Sequence, residues 1–158
     1  MSARDFADGV ADLLVNDVTF AAAVAALVGQ TVTTVLRANQ PIEQIPLAKF
    51  PCWVLEQGEG RAAGISDDDD DGRVIGGWSQ SFESELLVSL VWKQQDRESA
   101  ADVRADLPEL FAQLLLQNAQ PGGIVGAWFD SWESDRGALH PTHIWAASVR
   151  GQYVINRS

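Results

Sequence analysis

Apolar and polar positions alternate along several stretches of this chain, and they recur at helical spacing along others. Alternation is clearest in Ser81–Gln94, where Phe82, Leu86, Val88, Leu90 and Trp92 fall on one side and Glu83, Glu85 and Ser89 on the other. Leu87 and Val91 make that second side partly apolar, so part of it is expected to be covered. Pro51–Gln57, Ile124–Glu133 and Thr142–Asn156 read as three further strands. In the first, Trp53 and Leu55 share one face and Cys52 and Val54 the other; in the last, Trp145, Ala147, Val149, Tyr153 and Ile155 oppose Arg150.

Helical spacing appears in Phe6, Val10, Leu13 and Leu14, behind a Ser2/Asp5 pair that resembles a capping box. Asn16 and Asp17 end that helix and cap the next, Val18–Val28, whose alanine-rich run reads as a core helix closed by Gly29. The long amphipathic helix is Glu98–Asn118, capped by Asp96, with Ala100, Val103, Leu107, Leu110, Phe111 and Leu114 as its buried stripe. Pro108 inside it predicts a kink or a break into two pieces. Thr31–Leu36 fits a short strand or a twisted connection, and Gln40–Lys49, with two prolines, a loop or a single helical turn. The expected fold is α+β: a mainly antiparallel sheet of four or more strands, an amphipathic helix on one face, and N-terminal helices.

A chain of 158 residues fits one domain, here residues 1–158. Gly58–Gly77, rich in glycine and carrying Asp67, Asp68, Asp69, Asp70 and Asp71 in succession, reads as a flexible acidic loop between two antiparallel strands. The formal net charge is -11, which disfavours gripping nucleic acid through its phosphates and repels an anionic membrane surface. The first residues do not form a basic start followed by an apolar run, so no signal peptide is expected, and no stretch reads as a membrane span. The single cysteine, Cys52, allows no internal disulfide.

Candidate chemistry is sparse. The aspartate run lacks the spaced ligands and turn glycine of a calcium loop. His140 and His143 offer two imidazoles and no third ligand, so neither metal nor cofactor is expected. Cys52 opens a strand and reads as a small buried side chain. Glu83 and Glu85 read better as an exposed polar stripe than as paired acids. There is no nucleophile elbow, dinucleotide fingerprint or phosphate loop, and the chain does not read as an enzyme. Among the six tryptophans, Trp128 and Trp132 share an expected strand face with Asp130, and Trp78 borders the acidic segment. Half-exposed aromatics of this kind favour a protein interface over a sugar-stacking surface.

The layout resembles the tail terminator, or tail completion, proteins of long-tailed bacteriophages, Mu-like or lambda-like. The resemblance is carried by N-terminal helices before the proline-led strand Phe50-Pro51-Cys52-Trp53-Val54-Leu55, the variable Gly/Asp segment and the long strand Phe82–Trp92. The helix Asp96–Asn118 and two last strands ending in Gly151-Gln152-Tyr153-Val154-Ile155-Asn156-Arg157 complete it. It spans nearly the whole chain and rests on architecture alone. It implies a structural virion protein that forms a ring, usually a hexamer, at the head-proximal end of the tail tube. Such a ring stops tube polymerisation and joins tail to head. The implied partners are copies of itself, the tail tube protein and a head completion or connector protein. DNA passes through the channel without specific binding. The implied location is the tail neck of the virion, after assembly in the cytoplasm of a bacterial host. Trp78, Trp128 and Trp132 are then candidate interface residues, and Asp67–Asp71 a loop facing the lumen or the rim. Alternatives are another phage neck or head–tail completion protein, and a small ligand-binding module using the tryptophan-rich sheet.

Overall fold

A computed structural model describes residues 2–37, 41–66, 79–118 and 126–156. Two helices lead, α1 (Ala3–Asn16) and α2 (Val18–Val28). The short strand β1 (Thr34–Leu36) and two single 3₁₀ turns (Ile42–Gln44 and Leu47–Lys49) follow. Then come β2 (Cys52–Ser66), β3 (Ser79–Lys93), α3 (Arg97–Gln117), β4 (Gly126–Ser134) and β5 (Thr142–Asn156). The α+β expectation holds: the five strands form one sheet in the order β1-β2-β3-β5-β4, antiparallel except where β1 runs parallel to β2.

The caps are those the sequence specifies. The Ser2 side chain accepts from the Asp5 amide, Asp17 from the Phe20 amide at 3.0 Å, and Asp96 from the Ser99 amide at 3.1 Å. Each satisfies an amide that the first helical turn leaves open. Gly29 closes α2 with a φ of 77°, a left-handed conformation that glycine adopts without steric cost.

All three helices lie on one face of the sheet. Phe6, Val10 and Leu14 of α1, Phe20 and Val24 of α2, and Leu107, Phe111 and Leu114 of α3 join Trp53, Leu55, Leu86, Val88, Leu90, Trp92, Trp145 and Val149 in the main core. On the opposite face the 41–50 segment covers only one end. Ile45 packs there with Cys52, Val54 and Val91, against Leu36, Phe50 and Ile144. The partly apolar second face of β3 is thus covered where Val91 lies and, among the described residues, open farther along.

Three expectations change. The helix holding Pro108 is one continuous α-helix, so of the two expected outcomes, a kink or a break into two pieces, the break is overturned. Leu107 and Phe111, both fully buried, hold it to the sheet on either side of the proline, and that packing outweighs one lost amide donor. The segment read as a loop from Gly58 continues as strand to Ser66, with register shifts after Gln57 and after Ala62. β3 is paired along its length with β5 and offers its other side as a template, so β2 extends past its glycines. A Cβ at Gly58 would meet the Glu85 carboxylate at 2.8 Å, so the close approach there uses the missing side chain. Finally, α2 is not a core helix all round. Only Phe20 and Val24 are buried, and Val18, Thr19, Ala22 and Ala26 are exposed.

Candidate functional site

The open face of the sheet carries an ordered row of charges. Arg61 on β2 donates to Glu83 Oε2 on β3 at 3.0 Å. Arg150 on β5 donates through Nη1 to Glu83 Oε1 at 2.9 Å and through Nε to Asp130 Oδ2 on β4 at 3.3 Å. Arg61, Glu83, Arg150 and Asp130 therefore form an alternating ladder across four strands. The register puts them in line: Arg61 lies opposite Glu83, and Trp128, next but one to Asp130, opposite Arg150. The Arg61 guanidinium, then that of Arg150, holds the Glu83 carboxyl below its ordinary range. Glu83 and Asp130 in turn push the Arg150 pKa up. Beside this row, Ser148 Oγ donates to Glu85 Oε1 at 2.6 Å. Glu83 and Glu85 form a polar stripe that is half-buried and not fully exposed, with the Glu83 side chain only 14% exposed, and each is engaged by neighbours of the opposite charge or by a hydroxyl. From the sequence, Arg150 falls on the outward side of the last strand and Asp130 beside the tryptophans, but the two are not joined and Arg61 is not named. The available signal was the opposite charge at outward positions of adjacent strands.

Trp128 and Trp132 do not share a face. β4 pairs Phe129 with Val149 and then Ser131 with Ser148, which leaves Asp130 as the extra residue of a bulge. The extra residue reverses the alternation. Trp128 stays on the open face with Arg150. Trp132, opposite Ala147, turns to the helix face and stacks on Phe129 with centroids 5.6 Å apart. Both rings remain partly open to solvent, Trp128 at 40% and Trp132 at 57%, on an edge strand. Trp78 and Asp67–Asp71 lie outside the described residues.

His140 and His143 do come together, edge to face with centroids 5.4 Å apart. His143 is buried, with Nε2 3.0 Å from the Gln94 carbonyl oxygen and Nδ1 3.1 Å from Arg104 Nη1. A carbonyl can only accept, so Nε2 carries the proton and Nδ1 accepts from the arginine. Both nitrogens are thereby used in joining β5 to β3 and α3. Desolvation, then Arg97 and His143, lowers the His140 pKa. No group of three or more potential metal ligands gathers among the described residues.

Cys52 is buried at the start of β2, and desolvation raises its thiol to about 11 against the weaker pull of Lys49. The native thiol should react with iodoacetamide at pH 8 about 100-fold more slowly than the same cysteine in denaturant, since only the thiolate attacks. Comparable rates in the two states would contradict this placement.

A cleft of about 460 Å³ lies between α1 and β2, lined by Arg4, Ala7, Arg37, Leu55, Gln57 and Leu86. Arg37 is paired with Asp8, and Gln57 Nε2 donates to the Ala3 carbonyl at 3.0 Å. The cleft contains no nucleophile–base pair, and its polar groups tie α1 to the sheet.

No protein-family model matches the sequence. No curated protein matches it either. Among solved structures, the chain is similar to one described as "Virion of native gene transfer agent (GTA) particle", at 19% identity and a TM-score of 0.49, over 93% of this chain and 96% of that one. A likeness of this size carries no functional weight. The functional reading therefore rests on the architecture and the surfaces described above.

Proposed function

We propose that this chain is a structural protein of a long-tailed phage or phage-like particle, and that it closes the head-proximal end of the tail tube as a ring. The observation that carries the reading is the order of elements. Two helices precede a strand led by Pro51, a long antiparallel pair β2/β3 follows, α3 lies over the sheet, and two long strands close the chain. That is the order the resemblance to tail terminators implies.

The surfaces agree with a passive, assembling role. The sheet has two unlike edges, the three-residue β1 and the nine-residue β4. Unlike surfaces are what a head-to-tail contact joins, and a head-to-tail contact that closes gives a ring. Trp128 and Trp132 project from the β4 edge, one to each face, as aromatic anchors for a neighbouring subunit. The tube protein and a head connector protein are the further partners in this reading. DNA passes through the ring without being held, because an acidic protein repels it weakly. Asp67–Asp71 face the lumen or the rim. Placement of that segment on the outer circumference in a ring reconstruction would refute this last point.

The test is a capping assay. Purified protein added to polymerising tail tube subunits should arrest growth at one end and appear there as a ring in negative stain. Unchanged tube growth with no end-bound density would refute the proposal.

A further inference from the structure

The charge ladder on the open face has a direction. From β2 to β4 it runs Arg61, Glu83, Arg150, Asp130, so it begins on a cation and ends on a carboxylate. Both end members stand at a margin of the sheet. β1 pairs with β2 only at Cys52–Val54, so among the described residues no strand lies beyond β2 at Arg61. β4, which carries Asp130, is the outermost strand on the other side.

Glu83 and Arg150 each bond a neighbour on both sides, whereas the two end members are half used. Among the described residues, Arg61 donates through Nη2 alone and Asp130 accepts through Oδ2 alone. A guanidinium offers five N–H donors and a carboxylate two oxygens, so each has capacity left. The Arg61 side chain is 73% exposed and that of Asp130 42%. Strand direction matches as well. The three pairings from β2 through β3 and β5 to β4 are all antiparallel, so β4 runs opposite to β2. Set beside the free margin of β2 in a second copy of the same orientation, β4 is antiparallel to it, and the helices of both copies lie on one face.

We propose that the chain joins a second copy through this contact, β4 against β2, with Asp130 of one molecule paired to Arg61 of the next. The ladder then runs on from subunit to subunit. This rests on the ring reading for closure and names the residues that make the ring's contact. Charge selects the arrangement. An open strand edge is a template for any strand, and opposite or like charges across the pair decide which one it accepts. Pairing β4 with β4 brings two acidic ladder ends together, and β2 with β2 two basic ends. Only the head-to-tail contact matches cation to carboxylate, and a contact of that kind repeats. With Asp130 beside Arg61 in an antiparallel pair, Glu133 comes opposite Gly58 and Trp132 opposite Glu59, so no two acids face each other within β4. Trp128, on the open face at the same margin and 40% exposed, lies where the added strand covers it.

Sedimentation velocity of the full chain at about 100 μM, where micromolar contacts are populated, reads the assembled species. Arg61→Glu sets acid against acid at every contact, and Asp130→Lys sets base against base. Each variant alone should assemble at least about tenfold more weakly than the parent chain. An equimolar mixture of the two should restore assembly. The lysine put at 130 then meets the glutamate put at 61 across one contact, and native Asp130 meets native Arg61 across the next. Rescue cannot arise within a molecule, because each variant keeps its own broken ladder, and circular dichroism confirms that both are folded. A parent chain that stops at monomer or dimer, variants that assemble as the parent does, or a mixture no better than its components would overturn the proposal. Restored rings that leave tube growth unchecked would uphold the contact and refute the tail reading. End-bound rings that both variants still form on tubes would uphold the tail reading and overturn the contact.

Discussion

Replacing Phe111 by alanine should destabilise the protein by about 3–5 kcal/mol, the range for removing a large aromatic side chain from a packed core. Phe111 is fully buried on α3 and meets three other rings: Phe20 at 6.2 Å, Phe129 at 5.5 Å and Trp145 at 5.5 Å between centroids. It thereby joins α2, α3, β4 and β5 in one cluster. Because each kcal/mol shifts the midpoint of a domain this size by about 2–4 °C, the unfolding midpoint should fall by roughly 10 °C. Total stabilities of about 5–15 kcal/mol make this a large fraction of the whole. Calorimetry of the two proteins decides it. A loss below about 1 kcal/mol would mean that Phe111 is not the junction described, since even mild core truncations cost about that much.

Gly151→Ala is the second large expected effect, and its cause is contact and not conformation. Gly151 on β5 faces α1, where an added Cβ would lie 2.8 to 3.0 Å from Cζ, Cε1 and Cε2 of Phe6. Those ring atoms belong to a side chain with no exposed surface, so the ring cannot swing out, and α1 must lift from the sheet. The expected cost is about 1–3 kcal/mol, typical of overpacking. Phe6→Leu shortens the opposing side chain, so the double variant should lose less than the sum of the two single variants. A coupling energy of at least about 0.5 kcal/mol is the threshold for residues in contact. Strict additivity would show that α1 does not rest on Gly151.

Much of this architecture was legible because local rules and packing agree. Ser2, Asp17 and Asp96 cap the helices that they precede, and Gly29 closes α2. The alternation in β3 separates the main core from the open face, and the Cys52/Val54 face of β2 finds its own smaller core. What escaped the sequence was decided by partners distant in the chain. Trp128, Asp130 and Trp132 alternate perfectly on paper. In the sheet, Trp132 stacks on Phe129 while Trp128 stays opposite Arg150, and the extra residue Asp130 is what puts the two tryptophans on different faces. A one-residue slip of this kind moves every later side chain to the other face. Gly58 and Gly60 read as loop because glycine weakens an isolated strand, yet β3 pairs Gly60 with Ser84 and the strand runs on across a register shift at Gly58. Pro108 and the apolar outer side of α2 escaped for a similar reason: composition gives what a helix disfavours or prefers, not what lies against it.

The candidate site was less legible than the fold. The tryptophans were read as surface anchors, and Trp128 and Trp132 are indeed partly exposed, but on opposite faces. The charge ladder needs four strands in register before its members meet. Neither feature carries a catalytic motif, because the proposed work is done by shape and charge between subunits.

The most direct test of that proposal is the length of tails assembled without this chain. Particles from a deletion of its gene, imaged by electron microscopy, should carry tube-like tails of variable and excess length without heads, because nothing ends polymerisation. Tails of normal, uniform length in the deletion, whether attached to heads or free, would contradict the account.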